Sequence, residues 1–217
     1  DAGEPVAEDP AEREYQKTLG QLAAQARRRQ ERLEARATEI VRTLERSPVM
    51  ASHVDSVEQL VWLHLRLLVA RQTIARVVEN ARADRESLRQ QQTQIGQRLE
   101  REDASAELRR SREQQLQVIE ARQAAHGDAT RRLEHVESEL ERIDQQVALI
   151  HEQALLATDE ERIGTSLDAL AASYNEASRG LSGQRDLLGA RDTFDTRRLP
   201  RRVLHGGDRP NAIKEGT

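Results

Sequence analysis

A chain of 217 residues with a formal net charge of −4, 36% hydrophobic and 33% charged residues and only 2% aromatics departs from the make-up of an average globular domain. Tyr15, Trp62, Tyr174 and Phe194 are its only aromatic side chains, too few to fill a thick core or line an ordinary ligand pocket. The lack of cysteine excludes disulfides and thiolate metal sites, and the most apolar stretch, residues 57–78, carries Glu58, His64, Arg66, Arg71 and Arg76, which an ordinary membrane span does not tolerate.

The opening residues 1–10, with Gly3, Pro5 and Pro10, have the composition of a flexible arm. A chain that starts on Asp1 is expected to have lost a leading segment or to be a piece of a longer protein. A first helix is predicted over residues 11–46, with Tyr15, Leu19, Leu22, Ala26, Arg29, Leu33, Ala37, Ile40 and Leu44 spaced by three and four along one face. Arg29 is the one breach in that face. Ser47-Pro48 stops the helix, because proline disfavours helical backbone in the residue before it.

A second helix is predicted from Asp55 or Ser56, with Asp55 and Glu58 at capping-box spacing, to about Leu99. Leu60, Leu67, Ile74, Ala81, Leu88 and Ile95 recur at heptad spacing on it. The other half of that seam is polar: His64, Arg71, Val78, Arg85, Gln92 and Leu99. Around residues 57–78 a further apolar face appears, with Val61, Leu65 and Leu68, so this segment is where several helices are expected to meet. Residues 101–105 are read as a tight reversal capped by Asp103 or Ser105.

The third helix carries the clearest pattern in the chain. Ala129, Leu133, Val136, Leu140, Ile143, Val147, Ile150, Ala154 and Ala157 follow one another at alternating gaps of four and three, the a/d seam of a coiled coil. Its first half is a poor seam (Leu108, Arg112, Gln115, Ile119, Arg122, His126) and faces the polar half of the second helix, so the end of the hairpin is expected to pack thinly. Thr158 and Glu161 open a shorter fourth helix whose buried stripe is Ile163, Leu167, Leu170, Tyr174, Ala177 and Leu181. Gly180, Gly183 and Gly189 erode its end. Past Arg191, basic residues outnumber acidic ones, and Pro200, Gly206-Gly207 and Pro210 predict an irregular basic tail.

Catalytic constellations are missing from the sequence. His151-Glu152 starts like a zinc-protease helix, but Leu155 stands where the second histidine belongs. His126 and His135 are nine residues apart, the wrong interval for a shared metal on one helix. His64 reads as a partly buried histidine with a local partner. Ser182 lacks the flanking glycines of a nucleophile elbow, and no glycine-rich phosphate loop is present.

These patterns predict an all-α protein: an elongated antiparallel coiled-coil bundle of three long helices plus a shorter fourth, with a flexible arm (residues 1–10), a helical domain (11–190) and an irregular basic C-terminal tail (191–217). The expected function is a non-enzymatic scaffold or adaptor acting through protein–protein contacts or self-assembly, or the soluble arm of a membrane-associated complex. Trp62, Leu65 and Leu68 are the candidate partner-binding face, with Arg197, Arg198, Arg201 and Arg202 in the tail. The alternative is a peripheral membrane-binding or membrane-remodelling protein whose tail meets anionic lipid. Expected partners are protein chains, including further copies of this one. Without interleaved aromatics or a compact basic helix, nucleic acid is not expected; nor is a cofactor or metal. With nothing marking export, the cytoplasm is the default compartment, with the periplasm as the alternative.

Overall fold

The computed structural model describes residues 10–48, 50–101, 105–156, 160–182 and 201–204. Its regular elements are α1 (Pro10–Gly20), α2 (Ala24–Leu44), a 3-10 turn (Ala51–His53), α3 (Val54–Arg101), α4 (Ala106–Leu155), α5 (Glu160–Ser182) and a single helical turn, α6 (Arg201–Leu204). The fold is all-α, with no strand among the described residues. None of the described helices is long and apolar enough to cross a membrane. The chain divides into two compact units, one formed by Asp1–Val69 with Glu139–Thr217 and the other by Ala70–Ser138.

The first unit is organised around the start of α3. Leu60, Val61, Leu63, Leu65, Leu67 and Leu68 are all buried, on every side of the helix. A helix apolar on more than one face needs neighbours on more than one side. The seam of α4 supplies one, with Leu140, Ile143, Val147 and Ile150 buried at intervals of three and four. From α5, Ile163, Leu167, Leu170 and Ala177 are buried in the order their spacing predicts.

The first predicted helix is in fact two. α1 ends at Gly20, the backbone turns through Gln21, Leu22 and Ala23, and α2 starts after Ala23, whose φ of −61° and ψ of 154° are extended. The amides of Gln21 and Leu22 bond the carbonyls of Thr18 and Leu19 at 3.1 and 3.2 Å, tightening the end of α1. Along one continuous helix Tyr15 and Gln30 would stand about 22 Å apart at 1.5 Å per residue. Their side chains are instead in hydrogen-bond contact at 2.9 Å. Only a fold-back of α1 onto α2 achieves that, and it buries Tyr15 and Leu22 as well.

Two further differences follow from packing. α2 ends at Leu44, before the Ser47-Pro48 signal, and the Glu45 amide bonds the Val41 carbonyl at 2.9 Å. The C-terminal tail is not wholly irregular: Arg201–Leu204 forms the turn α6, Leu204 is fully buried, and the Thr38 hydroxyl of α2 lies 3.5 Å from the Val203 carbonyl. Thr158, Gly183 and Gly189 lie outside the described residues.

The second unit consists of the end of α3 and the start of α4. Arg71 pairs with Glu137 at 2.9 Å and Arg122 with Asp84 at 3.0 Å, so residue numbers rise on one helix as they fall on the other. α3 ends at Arg101 and α4 begins at Ala106, with the Ser105 hydroxyl accepting the Leu108 amide at 3.3 Å. That is the N-terminal cap expected of a reversal at this point; Asp103 lies outside the described residues. Packing thins along the unit: Ile74, Val78, Ala81 and Leu88 are buried, whereas Leu108 is 44% and Val118 60% exposed.

This gradient sets a stability contrast. Leu140→Ala empties a fully buried site and is expected to cost about 2–5 kcal/mol. Val118→Ala is expected to stay within about 0.5 kcal/mol of wild type. Urea unfolding followed by circular dichroism compares the two, and equal losses would contradict the packing described.

Candidate functional site

A connected set of polar side chains runs through the apolar core of the first unit. Gln30 and Glu34 are four residues apart and therefore share one face of α2. The Tyr15 hydroxyl of α1 meets both, donating to Glu34 and accepting from Gln30 Nε2 at 2.9 Å. The Tyr15 ring stands edge-on to Trp62 of α3, with centroids 5.0 Å apart and planes at 88°. Val61 and His64, three residues apart on α3, both face the Gln30 amide: Nε2 donates to the Val61 carbonyl at 3.2 Å, and Oε1 lies 2.7 Å from His64 Nδ1.

The directions of these bonds are forced. A backbone carbonyl only accepts, so the Gln30 NH2 group must face Val61, and its carbonyl oxygen must face the histidine. His64 Nδ1 therefore carries a hydrogen. The ring's other nitrogen, Nε2, lies 3.3 Å from Asp144 Oδ1 of α4, while Asp144 Oδ2 accepts from Arg29 Nε at 2.7 Å and from Nη2 at 2.6 Å. Two charge-assisted bonds converging on one oxygen fix the carboxylate on the guanidinium. Residues of four helices are thus joined in one sequence of contacts, from Glu34 through Tyr15, Gln30 and His64 to Asp144 and Arg29.

Burial sets the protonation states. His64 is completely enclosed, and loss of solvent pulls its pKa below the ordinary histidine value; Asp144 opposes this and Arg29 reinforces it. The ring is neutral at pH 7, and its Nε2 can donate to Asp144 only after a second proton arrives. Desolvation works against the charge of Asp144, but His64, once its Nε2 carries a proton, and the Arg29 guanidinium favour the carboxylate and hold the carboxyl below its usual range. For Tyr15, burial first and the neighbouring Glu34 second keep the phenol protonated far above its usual range. The arrangement ties α1, α2, α3 and the seam of α4 together through side-chain contacts within the first unit.

The candidate partner face lies within this core. Trp62 is 7% exposed, Leu65 0% and Leu68 2%, so the chain's own helices occupy the surface that these residues were expected to offer. Arg197 and Arg198 lie outside the described residues, and Arg201 and Arg202 open α6. Gln30 does not figure among the sequence candidates.

In the second unit the polar seam divides into two groups. Arg71 and Arg122 make the cross-helix ion pairs already described, and Gln92 accepts from Gln123 Nε2 at 3.1 Å. Arg85 and His126 instead line an open groove of about 420 Å3 between α3 and α4, together with Arg82, Arg89 and Gly127. Elsewhere His151 bonds Glu39, and His53 lies 3.8 Å from Asp168, both at the surface of the first unit. Among the described residues no three His, Asp or Glu side chains converge as metal ligands. No protein-family model, curated protein or solved structure matches this chain.

The protonation pattern gives a pH dependence. A buried histidine with a depressed pKa stays neutral in the folded chain, whereas the unfolded chain takes up its proton near pH 6.5. Stability is therefore full above that pH and falls as pH drops towards the folded-state value. The urea midpoint is expected to decrease between about pH 7 and pH 5, and His64→Gln, neutral throughout, to flatten that decrease. Tyr15→Phe leaves Gln30 and Glu34 without their hydroxyl partner and is expected to cost about 1–3 kcal/mol; an unchanged midpoint would show that the hydroxyl is not needed.

Proposed function

We propose that this chain is a non-enzymatic coiled-coil scaffold or adaptor, in which the polar-keyed first unit holds the helices in register and the two-helix second unit engages protein partners or further copies of the chain. The observation that carries this reading is the thin packing of the second unit. Two helices alone bury few apolar side chains there, and Leu108 and Val118 remain in solvent at 44% and 60% exposure. A third helix laid along such a pair gains apolar contact that the pair by itself lacks, in the manner of coiled-coil association. The arginines and glutamines at seam positions favour particular partners over indiscriminate aggregation, as polar seam residues do in helical assemblies. Trp62, Leu65 and Leu68 act in this reading as core residues that anchor the first unit.

A photoreactive benzoylphenylalanine placed at Val118 or at Leu108 in the full chain tests the reading in the native cell. Covalent adducts to a second copy or to another protein are expected at one or both positions. Irradiation that yields no adduct at either would refute a partner-engaging second unit.

A further inference from the structure

The groove between α3 and α4 carries more positive charge than the ion pairs around it offset. Arg82, Arg85 and Arg89 follow one another at intervals of three and four, so they form a row on one face of α3 about 10 Å long. No acidic residue lines the groove. Two carboxylates near it are paired with other arginines, Asp84 with Arg122 and Asp128 with Arg131, while Glu86 accepts a hydrogen bond from Gln90 in solvent and does not line the groove. Glu79 lies 3.7 Å from Arg82 with both side chains mostly in solvent, a pairing that contributes little. Arg85 and Arg89 have no ion-pair partner among the described residues. Beneath the row, Val78, Ala81 and Leu88 form an apolar floor. Across it, Gly127 leaves the wall open: a Cβ there would meet only the Arg131 Nη1 atom, at 3.7 Å. A glycine inside a helix costs roughly 1 kcal/mol relative to alanine, and nothing in the chain's own packing requires one here.

From this geometry we infer that the groove docks an acidic amphipathic helix of a protein partner. Carboxylates at the same three- and four-residue intervals on the incoming helix match the arginine row, each able to take a charge-assisted, two-point bond. An apolar stripe beside them meets the floor. Single-stranded nucleic acid fits less well, because the groove holds no aromatic side chain for a base to stack on, and duplex DNA is set against the peptide in the test below. An anionic membrane is flat, whereas this surface is concave. The inference rests on the scaffold reading and names the chemistry of its partner.

The test uses the full chain and a fluorescein-labelled helical peptide with glutamates at i, i+3 and i+7 beside a leucine stripe, followed by fluorescence polarisation. A peptide with lysines in place of the glutamates, a duplex DNA and phosphatidylserine vesicles serve as competitors. Binding of the acidic peptide is expected, weakened by salt and by roughly tenfold or more in Arg85→Glu/Arg89→Glu. Gly127→Trp fills the groove without altering charge and is expected to weaken it comparably. Circular dichroism checks that both variants remain helical. The inference is overturned if the peptide fails to bind, if the variants bind it as well as wild type, or if DNA or vesicles compete for the same arginines with equal strength. It is also overturned if wild type is a dimer that the double variant dissociates, since the occupant is then a second copy. Photo-adducts at Val118 or Leu108 alongside unaffected peptide binding would remove the groove and leave the scaffold standing; the absence of adducts would remove the scaffold itself.

Discussion

The side-chain amide of Gln30 is the constraint on which the first unit depends. It is fully buried, and a buried amide with unmet donors or acceptors is destabilising by about 1–3 kcal/mol. Three groups from two helices meet its demands: the Tyr15 hydroxyl from α1, and the Val61 carbonyl and the His64 ring from α3. An apolar contact would tolerate sliding of α2 along α3. A carboxamide whose oxygen and nitrogen must each find the right partner does not. The cost of burying it is offset only in one register, which is how a core made mostly of leucine and isoleucine acquires a single arrangement.

The periodic parts of the fold were legible in the residues themselves. The alternating gaps from Val136 to Ala154 correspond to buried positions on α4, and the second apolar face around Val61 and Leu65 marked the place where α3 is enclosed. Ser105 could be read as a cap because a hydroxyl before a helix satisfies an otherwise unbonded amide. What escaped the sequence has a common cause. Nothing in the stretch Gly20-Gln21-Leu22-Ala23 breaks a helix strongly, and the apolar spacing continues through it, so the turn is imposed by the tertiary gain of burying Tyr15 against Trp62. Gln30 was missed because Leu33 has neighbours on its own face at both three and four residues back. The four-residue step selects Arg29 and the three-residue step selects Gln30. The shorter, uncharged side chain is the cheaper one to bury, and the guanidinium beside it reaches the Asp144 carboxylate. In the tail, the glycines and prolines concealed an apolar turn, Val203 and Leu204, that docks on α2.

The two units use polar seam residues in different ways. In the first, Gln30 and His64 are sealed from water, and their value lies in specificity rather than in net stability. In the second, Arg71 and Glu137 are roughly half exposed, and such pairs contribute at most about 1 kcal/mol each. They orient two helices without binding them tightly. Arg85 and His126 at comparable seam positions make no cross-helix ion pair among the described residues and line the space between the helices.

The division of the chain into units also bears on the order in which it becomes structured. The second unit is one uninterrupted stretch, Ala70–Ser138, whereas the first is assembled from segments on either side of it. During synthesis the hairpin is complete before most of α4's seam has been made. Arg29 and His64 meanwhile wait for Asp144, and Glu39 for His151. Local pairing closes first and contacts distant in sequence close last. Until α4 is complete, the faces of α2 and α3 that it covers stay exposed, and that surface is where a nascent chain is open to premature association and to chaperones.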